Sequence, residues 1–397
     1  MDAPTVKSLE LVANRRNGSK TGSLLQALDA TKTPMGARLL RGQLISPLSD
    51  TEQIEARLTA VGELHDNDTL LEACAKDLQR FPDVDHIASR FASLPKRFDL
   101  RELRAEVEAI RGLRQAIAQT GALLADVEPL SSELWTAHVV ALKQAHEAFA
   151  SLAKQIDECV VADAPAGLAG NINNGAGNQR NLQDIFCIKA DVNGLLDAAR
   201  CAYVCTVRDM EALVEGYRVA HGVDCELVKS SSRGYHLSVP RQREHAIPGF
   251  FVQAVRQKRV VLCTTPELAS LNNRQARVEE EILKLTVLHL ARIRDAVVQL
   301  LPHLVKLSDA VALVDVLAGF AALARERGYV RPQLGRTLAL KQSRHPVVEL
   351  RSSFTPNDVH FKLGQRLAVV TGPNCVGKST FLCRALCRCP SPGLHAR

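Results

Sequence analysis

Gly372-Pro373-Asn374-Cys375-Val376-Gly377-Lys378-Ser379 fits the spacing G-x-x-x-x-G-K-[ST], with Thr380 next in line. It follows the apolar run Leu367-Ala368-Val369-Val370 and opens a candidate helix over 379–387. Strand, glycine-rich loop and helix in that order suit a triphosphate cradle. Backbone N–H groups of such a loop surround phosphate oxygens, and the helix N-terminus adds about half a positive charge. Lys378 would reach the β- and γ-phosphates, and the Ser379 hydroxyl would ligate Mg²⁺. The expected ligands are therefore ATP and Mg²⁺. The main chain at Cys375, rather than its thiol, would serve the phosphates.

A second concentration of chemistry lies between residues 226 and 268. Seven basic residues (Lys229, Arg233, Arg241, Arg243, Arg256, Lys258 and Arg259) stand there against three glutamates. Such a patch suits contact with a phosphate backbone, although a solvated loop surface would look the same by charge alone. The same stretch holds Gly234–Pro240 and Arg259–Thr264, short β-type runs bounded by Gly and Pro.

The elements that must position this basic module are long helices. Leu196, Ala199, Tyr203, Val207, Met210, Val214 and Tyr217 recur at spacings of three and four, which predicts a helix over about 190–220. Val278, Ile282, Leu285, Ile293, Val297, Leu300 and Leu304 predict another over about 272–304. His289 lies at the edge of that stripe. Two long helices leading out and back with a cap between them make a lever arm. A further helix is expected over 308–327 with Ser308 as its N-cap, and strands over 337–341, 347–350 and 366–371.

Upstream the pattern is helical. Thr33-Pro34 opens one helix, Ser49-Asp50 caps another over 51–65, and amphipathic stretches follow at about 101–124 and 132–158. Residues 163–181, rich in Gly, Asn and Ala, are expected to be a loop.

Composition narrows the classes. The chain has 397 residues, enough for two or three domains, with a net charge of +7. Hydrophobic residues make up 46% and charged residues 23%, which excludes a disordered chain; aromatics at 4% favour helical packing over a β-sandwich. No uninterrupted apolar run reaches the length of a membrane span, and the first ten residues lack an apolar signal core. Eleven cysteines are scattered with no C-x-x-C pair, and Cys383, Cys387 and Cys389 lack partners for a zinc set. Reduced thiols and a cytosolic or nuclear compartment are expected.

Several of these words, in this order, resemble the MutS family of DNA mismatch-recognition and recombination ATPases. Thr371–Thr380 is similar to the family's TGPNxxGKST loop, in which Pro and Asn follow the first Gly. Arg344-His345-Pro346-Val347 resembles its RHP element, and Phe354-Thr355-Pro356-Asn357 falls where the family stacks an aromatic on adenine. Tyr329–Pro332 sits where the helical core ends, Arg233-Gly234-Tyr235 resembles the GY element of the clamp, and Thr31–Gly36 resembles the T-x-TPMG segment of the lever. Thr31–Arg38, Lys189–Asp197 and Leu338–Gln342 lean toward the meiotic crossover branch.

The resemblance implies a mostly α protein, a long-helix lever with a small β-rich clamp insertion, followed by a truncated α/β P-loop domain. Its parts would be lever residues 1–197, clamp 198–268, lever 269–330 and the start of the ATPase domain, 331–397. It further implies a nuclear subunit that closes around branched recombination intermediates as a heterodimer with a MutS homologue 5-type subunit, and no membrane. A mismatch-repair member is the alternative. So is a DNA-binding scaffold that uses lever and clamp alone. The chain opens at the lever and stops 18 residues after Ser379. A truncated product or incomplete gene is therefore expected, without the later acidic strand end and signature loop, and unable to hydrolyse ATP by itself.

Overall fold

The computed structural model describes residues 1–93, 100–161, 186–230, 233–335, 338–350, 354–361, 369–373, 377–378 and 380–381. The loop expected at 163–181 lies outside them. The fold is mostly helical with small antiparallel sheets. The chain divides into two compact units, one formed by 1–88, 115–149 and 301–397, the other by 89–114 and 150–300.

The first unit contains α1 (Ala3–Ser8), α2 (Leu24–Leu28), α3 (Pro34–Ile45), α4 (Thr51–His65), α5 (Asp68–Gln79) and the start of α6 (Val84–Ala92). The long helices α7 (Leu100–Val127) and α8 (Glu133–Cys159) contribute one end each. At its centre lies α11 (Leu301–Arg327), which packs against α3, α4 and α5. Its buried residues, among them Val311, Ala312, Val314, Val316, Leu317 and Leu323, surround the helix. A helix apolar on all sides belongs in a core. α11 is also the one helix among the described residues long and apolar enough to cross a membrane, and most of that length is buried against its neighbours. The single tryptophan, Trp135, is fully buried and donates from Nε1 to the Ala60 carbonyl at 3.1 Å.

The Thr31–Gly36 segment acquires a physical explanation here. Thr33 caps α3 by accepting from Gly36 N at 2.9 Å, and Pro34 supplies the first turn. Asp315, buried within α11, accepts from Lys32 N (2.8 Å), Thr33 N (2.8 Å) and Thr33 Oγ1 (2.7 Å). A Cβ on Gly36 would lie 2.2 Å from Asp315 Oδ2, so only glycine lets the carboxylate approach. Burial pushes the Asp315 carboxyl above its ordinary range, and the donors from Lys32 and Thr33 oppose that.

The sequence reading of 300–308 needs correction. The helix expected to reach 304 ends at Gln299, α11 begins at Leu301, and Ser308 is no cap. Ser308 is buried in mid-helix and donates to Asp85 of α6. An all-round apolar helix has no stripe, so periodicity could not fix its phase, and Pro302 suits its first turn.

The second unit is built on α9 (Gly194–His221) and α10 (Pro266–Gln299), which pack along one another. Asn193 caps α9, accepting at Oδ1 from Leu195 N and Leu196 N, and Gly222 at φ +62° ends it in the left-handed region. Thr265 caps α10 and bonds Tyr217 Oη at 2.9 Å, fastening the far end of α9 to the start of α10. Six of the seven stripe residues of α9 are buried and Ala199 is half-buried. On α10 the buried line runs through Ile282, Thr286, Leu290, Ile293 and Val297, so Leu285 is only partly covered. Arg294, 6% exposed, pairs with Glu106 of α7, 3% exposed, at 3.0 Å. It also donates to the Arg90 and Ser93 carbonyls, which satisfies a charge that would be costly if left alone.

Between α9 and α10 the chain forms one sheet in the order β1-β2-β4-β3, antiparallel throughout. Its strands are β1 (Glu226–Ser230), β2 (Gly234–Pro240), β3 (Val252–Arg256) and β4 (Val260–Thr264). Alternate residues Tyr235, Leu237 and Val239 of β2 and Val261 and Cys263 of β4 are buried, the period of two of one covered face, and His236 between the first two is buried as well.

Candidate nucleic-acid interface and phosphate loop

The sheet is pinned to the long helices through Tyr235. Asn272 of α10 accepts from Tyr235 N at 2.9 Å and donates to its carbonyl, so one amide side chain acts as an extra strand partner. Gly234, at φ +67°, sits where a Cβ would come within 3.0 Å of Asn272 Oδ1. Tyr235 Oη meets Tyr203 Oη of α9 at 3.3 Å, and burial raises both phenols. These contacts explain why glycine and tyrosine are adjacent here.

From that anchored base, the sheet carries the basic residues to different places. Arg241, Arg256, Lys258 and Arg259 line one open surface hollow of about 830 Å³, with Gln257 and Val260. Arg241 extends the end of β2, and Gln257–Arg259 form the β3–β4 turn. The Arg241 N–H donates to the Arg259 carbonyl at 2.9 Å, which draws residues 18 positions apart together. All four basic residues are exposed. Arg243 is also exposed and lies 3.3 Å from Asp224, while Arg233 is exposed beside a separate pocket with His236, Gln253 and Asn273.

Lys229 departs from the surface role that its charge suggested. Its side chain is 19% exposed, its Nζ pairs with Glu279 of α10, and it lies 5.1 Å from the Tyr235 ring and 5.8 Å from the Tyr203 ring. It holds β1 to α10 instead of facing solvent. On a strand, successive side chains point to opposite faces, and composition carries no such parity.

The glycine-rich loop Gly372–Thr380 lies in the other unit and is described in part. Gly372 has φ +153° and Gly377 φ +90°, and among the described residues nothing lies within 4 Å of a Cβ built on either. Lys378 Nζ donates to the carbonyls of Gly372 (2.7 Å) and Pro373 (2.6 Å), so the side chain arches back over the loop. Phe381 N donates to Gly377 O at 2.9 Å, closing the first helical turn behind it. Glycines that open the backbone, a lysine folded over it and a helix N-terminus fit a polyphosphate. Asn374, Cys375, Val376 and Ser379 fall outside the described residues; Thr380 is half-buried. Val369 and Val370 are exposed, Val369 by 77%; residues 366–368 of the strand expected over 366–371 lie outside the described residues.

β5 (Leu338–Ser343) and β6 (Asn357–Phe361) form an antiparallel pair with a bulge between Leu340 and Ser343. Phe354, half-buried, precedes β6. The strand expected at 347–350 is a turn. His345 Nδ1 accepts from Val347 N (3.3 Å) and Val348 N (3.4 Å), capping it as a side chain caps a helix. Arg344 lies 5.2 Å from the Tyr329 ring and donates to the Arg327 carbonyl at 2.7 Å, while Tyr329 Oη donates to Glu349. The Tyr329–Pro332 and Arg344–Val347 segments thus meet at the C-terminus of α11. Sequence reasoning had no signal for that contact or for Asn272. Among the described residues, no cluster of His, Cys, Asp and Glu could hold a metal.

A long-helix protein with a basic β-module between its rods is the class that these features define. A family profile for MutS domain III matches residues 4–321. MutS protein homolog 4 of Homo sapiens is 27% identical over 395 residues, covering 98% of this chain and 41% of that protein. The protein of the same name from Saccharomyces cerevisiae is 29% identical over 394 residues, with 96% and 43% covered. DNA mismatch repair protein MutS of Thermosynechococcus vestitus is 30% identical over 390 residues, with 96% and 41% covered. The chain belongs to the MutS family. It spans about two fifths of the length of these relatives.

Proposed function

We propose that this chain is a DNA-clamping subunit of the MutS family that acts in meiotic recombination, in the nucleus, as a heterodimer with a MutS homologue 5-type subunit. The observation that carries the DNA reading is the convergence of Arg241, Arg256, Lys258 and Arg259 on one open hollow. Four cations around a concavity on a module held by two long helices have the sign that a phosphate backbone requires, and such contacts select no base. The meiotic assignment rests on the resemblance of Thr31–Arg38, Lys189–Asp197 and Leu338–Gln342 to the meiotic crossover branch, and the similarity to the human and yeast proteins named MutS protein homolog 4 supports that branch. The similarity to bacterial MutS favours, as a second reading, a role on mismatched DNA.

ATP with Mg²⁺ is the ligand proposed for Gly372–Thr380, with Lys378 on the phosphates, Ser379 toward the metal and Phe354 against the base. Bound nucleotide would supply the free-energy difference between two states of the subunit. This chain's own part is to hold the phosphates with loop N–H groups and Lys378.

The test is duplex binding by the 397-residue chain with Arg256, Lys258 and Arg259 all changed to Glu. Affinity should fall about 100-fold on every sequence tried. In the unchanged protein it should fall by roughly two decades from 50 to 200 mM salt, as about four neutralised phosphates require. Salt-independent affinity, or a loss confined to one sequence, would contradict backbone contact.

A further inference from the structure

The described cysteines fall into two groups. Cys74, Cys187, Cys225 and Cys263 are buried and Cys159 is half-buried. Burial pushes the Cys74 thiol up to about 12 and the Cys263 thiol up to about 11, and raises Cys225 and Cys159. A thiolate is the reactive form, so these groups are held in the inert one. Cys201 and Cys205 differ. Both are exposed, and both sit on α9, one turn apart. Residues four apart share a helix face with Cβ atoms about 5–6 Å apart. Their neighbours on that face are charged, with Arg208 and Asp209 exposed one turn further on. Asp209 lies 3.8 Å from Arg274 of α10.

Helix geometry places Cα atoms four apart at about 6.2 Å. That is inside the roughly 4.4–6.8 Å that a disulfide spans, whereas the Cβ separation exceeds the roughly 3.5–4.5 Å it needs. A bond between these sulfurs can therefore form, and only by drawing one turn of α9 out of regular geometry. Strained, exposed disulfides have more oxidising potentials and are readily reduced. Such a bond would be transient and would locally deform the rod that leads into the basic sheet.

We propose that Cys201 and Cys205 are a reversible oxidation site, a dithiol that hydroperoxides convert to an intrahelical disulfide. One thiolate attacks the terminal peroxide oxygen, the O–O bond breaks, and the leaving oxygen takes up a proton as an alcohol, or as water when the oxidant is hydrogen peroxide. The sulfenic acid so formed is attacked at sulfur by the second thiolate, and its oxygen departs as water. Two thiols lose two electrons and two protons, and the peroxide is reduced by two electrons. A dithiol reductant reverses the change by exchange. The pairing does not depend on whether the chain binds DNA.

The test uses the full 397-residue chain with stoichiometric hydrogen peroxide, alkylation of remaining thiols and tryptic mapping. Arg200 and Arg208 bracket both cysteines in one peptide, Cys201–Arg208. The expected product is that peptide, unalkylated and two hydrogens lighter, returning to two alkylated thiols after dithiothreitol. In Cys205→Ser the same dose should leave Cys201 as a sulfenic acid trapped by dimedone, and amide exchange over 198–209 should quicken only in the oxidised parent. Sulfinic or sulfonic acid in the parent peptide, a cross-link to another cysteine, or unchanged thiols while a buried cysteine oxidises would each overturn the proposal.

Discussion

The basic hollow and the glycine-rich loop, both proposed to hold phosphate oxygens, are built by opposite means. The loop is local: Gly372 to Lys378 is a single run, and Lys378 bonds carbonyls only five and six residues away. The hollow is assembled: Arg241 comes from the end of β2 and Arg256–Arg259 from the β3–β4 turn, joined by sheet pairing whose support is Asn272 on α10. A local site tolerates changes elsewhere and dies with one residue. An assembled site spreads its charge over several residues and depends on whatever holds the sheet. The fate of Lys229 makes the same point, because one more lysine in the tally became a rivet.

That contrast can be broken most directly at Lys378. Lys378→Ala should lower ATP·Mg affinity about 100-fold or more, since an ammonium making charge-assisted bonds to phosphate is worth several kcal/mol, and should leave DNA affinity without nucleotide unchanged. Equilibrium dialysis with labelled ATP measures it, and no binding by the parent chain would leave the scaffold reading in place. The triple reversal at the hollow should show the converse pattern, with DNA affinity lost and ATP affinity kept.

Asn272→Ala comes next in size. It strands the Tyr235 N–H and carbonyl, which should cost about 1–3 kcal/mol in denaturant unfolding and weaken DNA binding by less than the reversal does. A variant as stable as the parent would show that the sheet needs no such fastening.

A smaller effect concerns the start of α9. Asn193 Nδ2 donates to His289 Nε2 at 2.7 Å while its Oδ1 caps the helix. Burial, then Arg292 and Arg200, lower the His289 pKa. The unfolded state therefore takes up the proton first, and stability is lost as pH falls below the ordinary histidine value of about 6.5. The decline should be shallow and should flatten in His289→Gln, as followed by urea midpoints between pH 7.5 and 5.5.

The smallest change is expected at Lys229. Lys229→Met should alter DNA affinity by less than about twofold, whereas Arg259→Met should reduce it by several-fold, each cation being worth about one phosphate contact. Equal losses at both positions would return Lys229 to the surface.

Wherever a single element's own residues carry the information, the sequence sufficed. Thr33-Pro34 and Asp50 start helices where a cap and a first-turn proline should put them. The α9 stripe and the β2 and β4 runs have the periods that their structures need. The failures share a cause. Ser308 next to Asp309 looks like a cap, yet Asp85, 223 residues away, gives that hydroxyl its role. Val347–Leu350 is apolar enough for a strand, yet the His345 ring satisfies its first N–H groups and turns it. The buried phase of α10 moved by one residue at 285–290 because Thr286 is accepted inside while a leucine is left half out.

Taken alone, the order of residues settled most of the long helices, two strands of the small sheet, the phosphate-loop signature and the family, because caps, periods and loop glycines act within a few positions of themselves. Folding in three dimensions decided which cations face water, why Gly36 must be glycine, and how one asparagine on a long helix holds a strand. Those outcomes depend on partners tens to hundreds of residues distant, which no local pattern encodes.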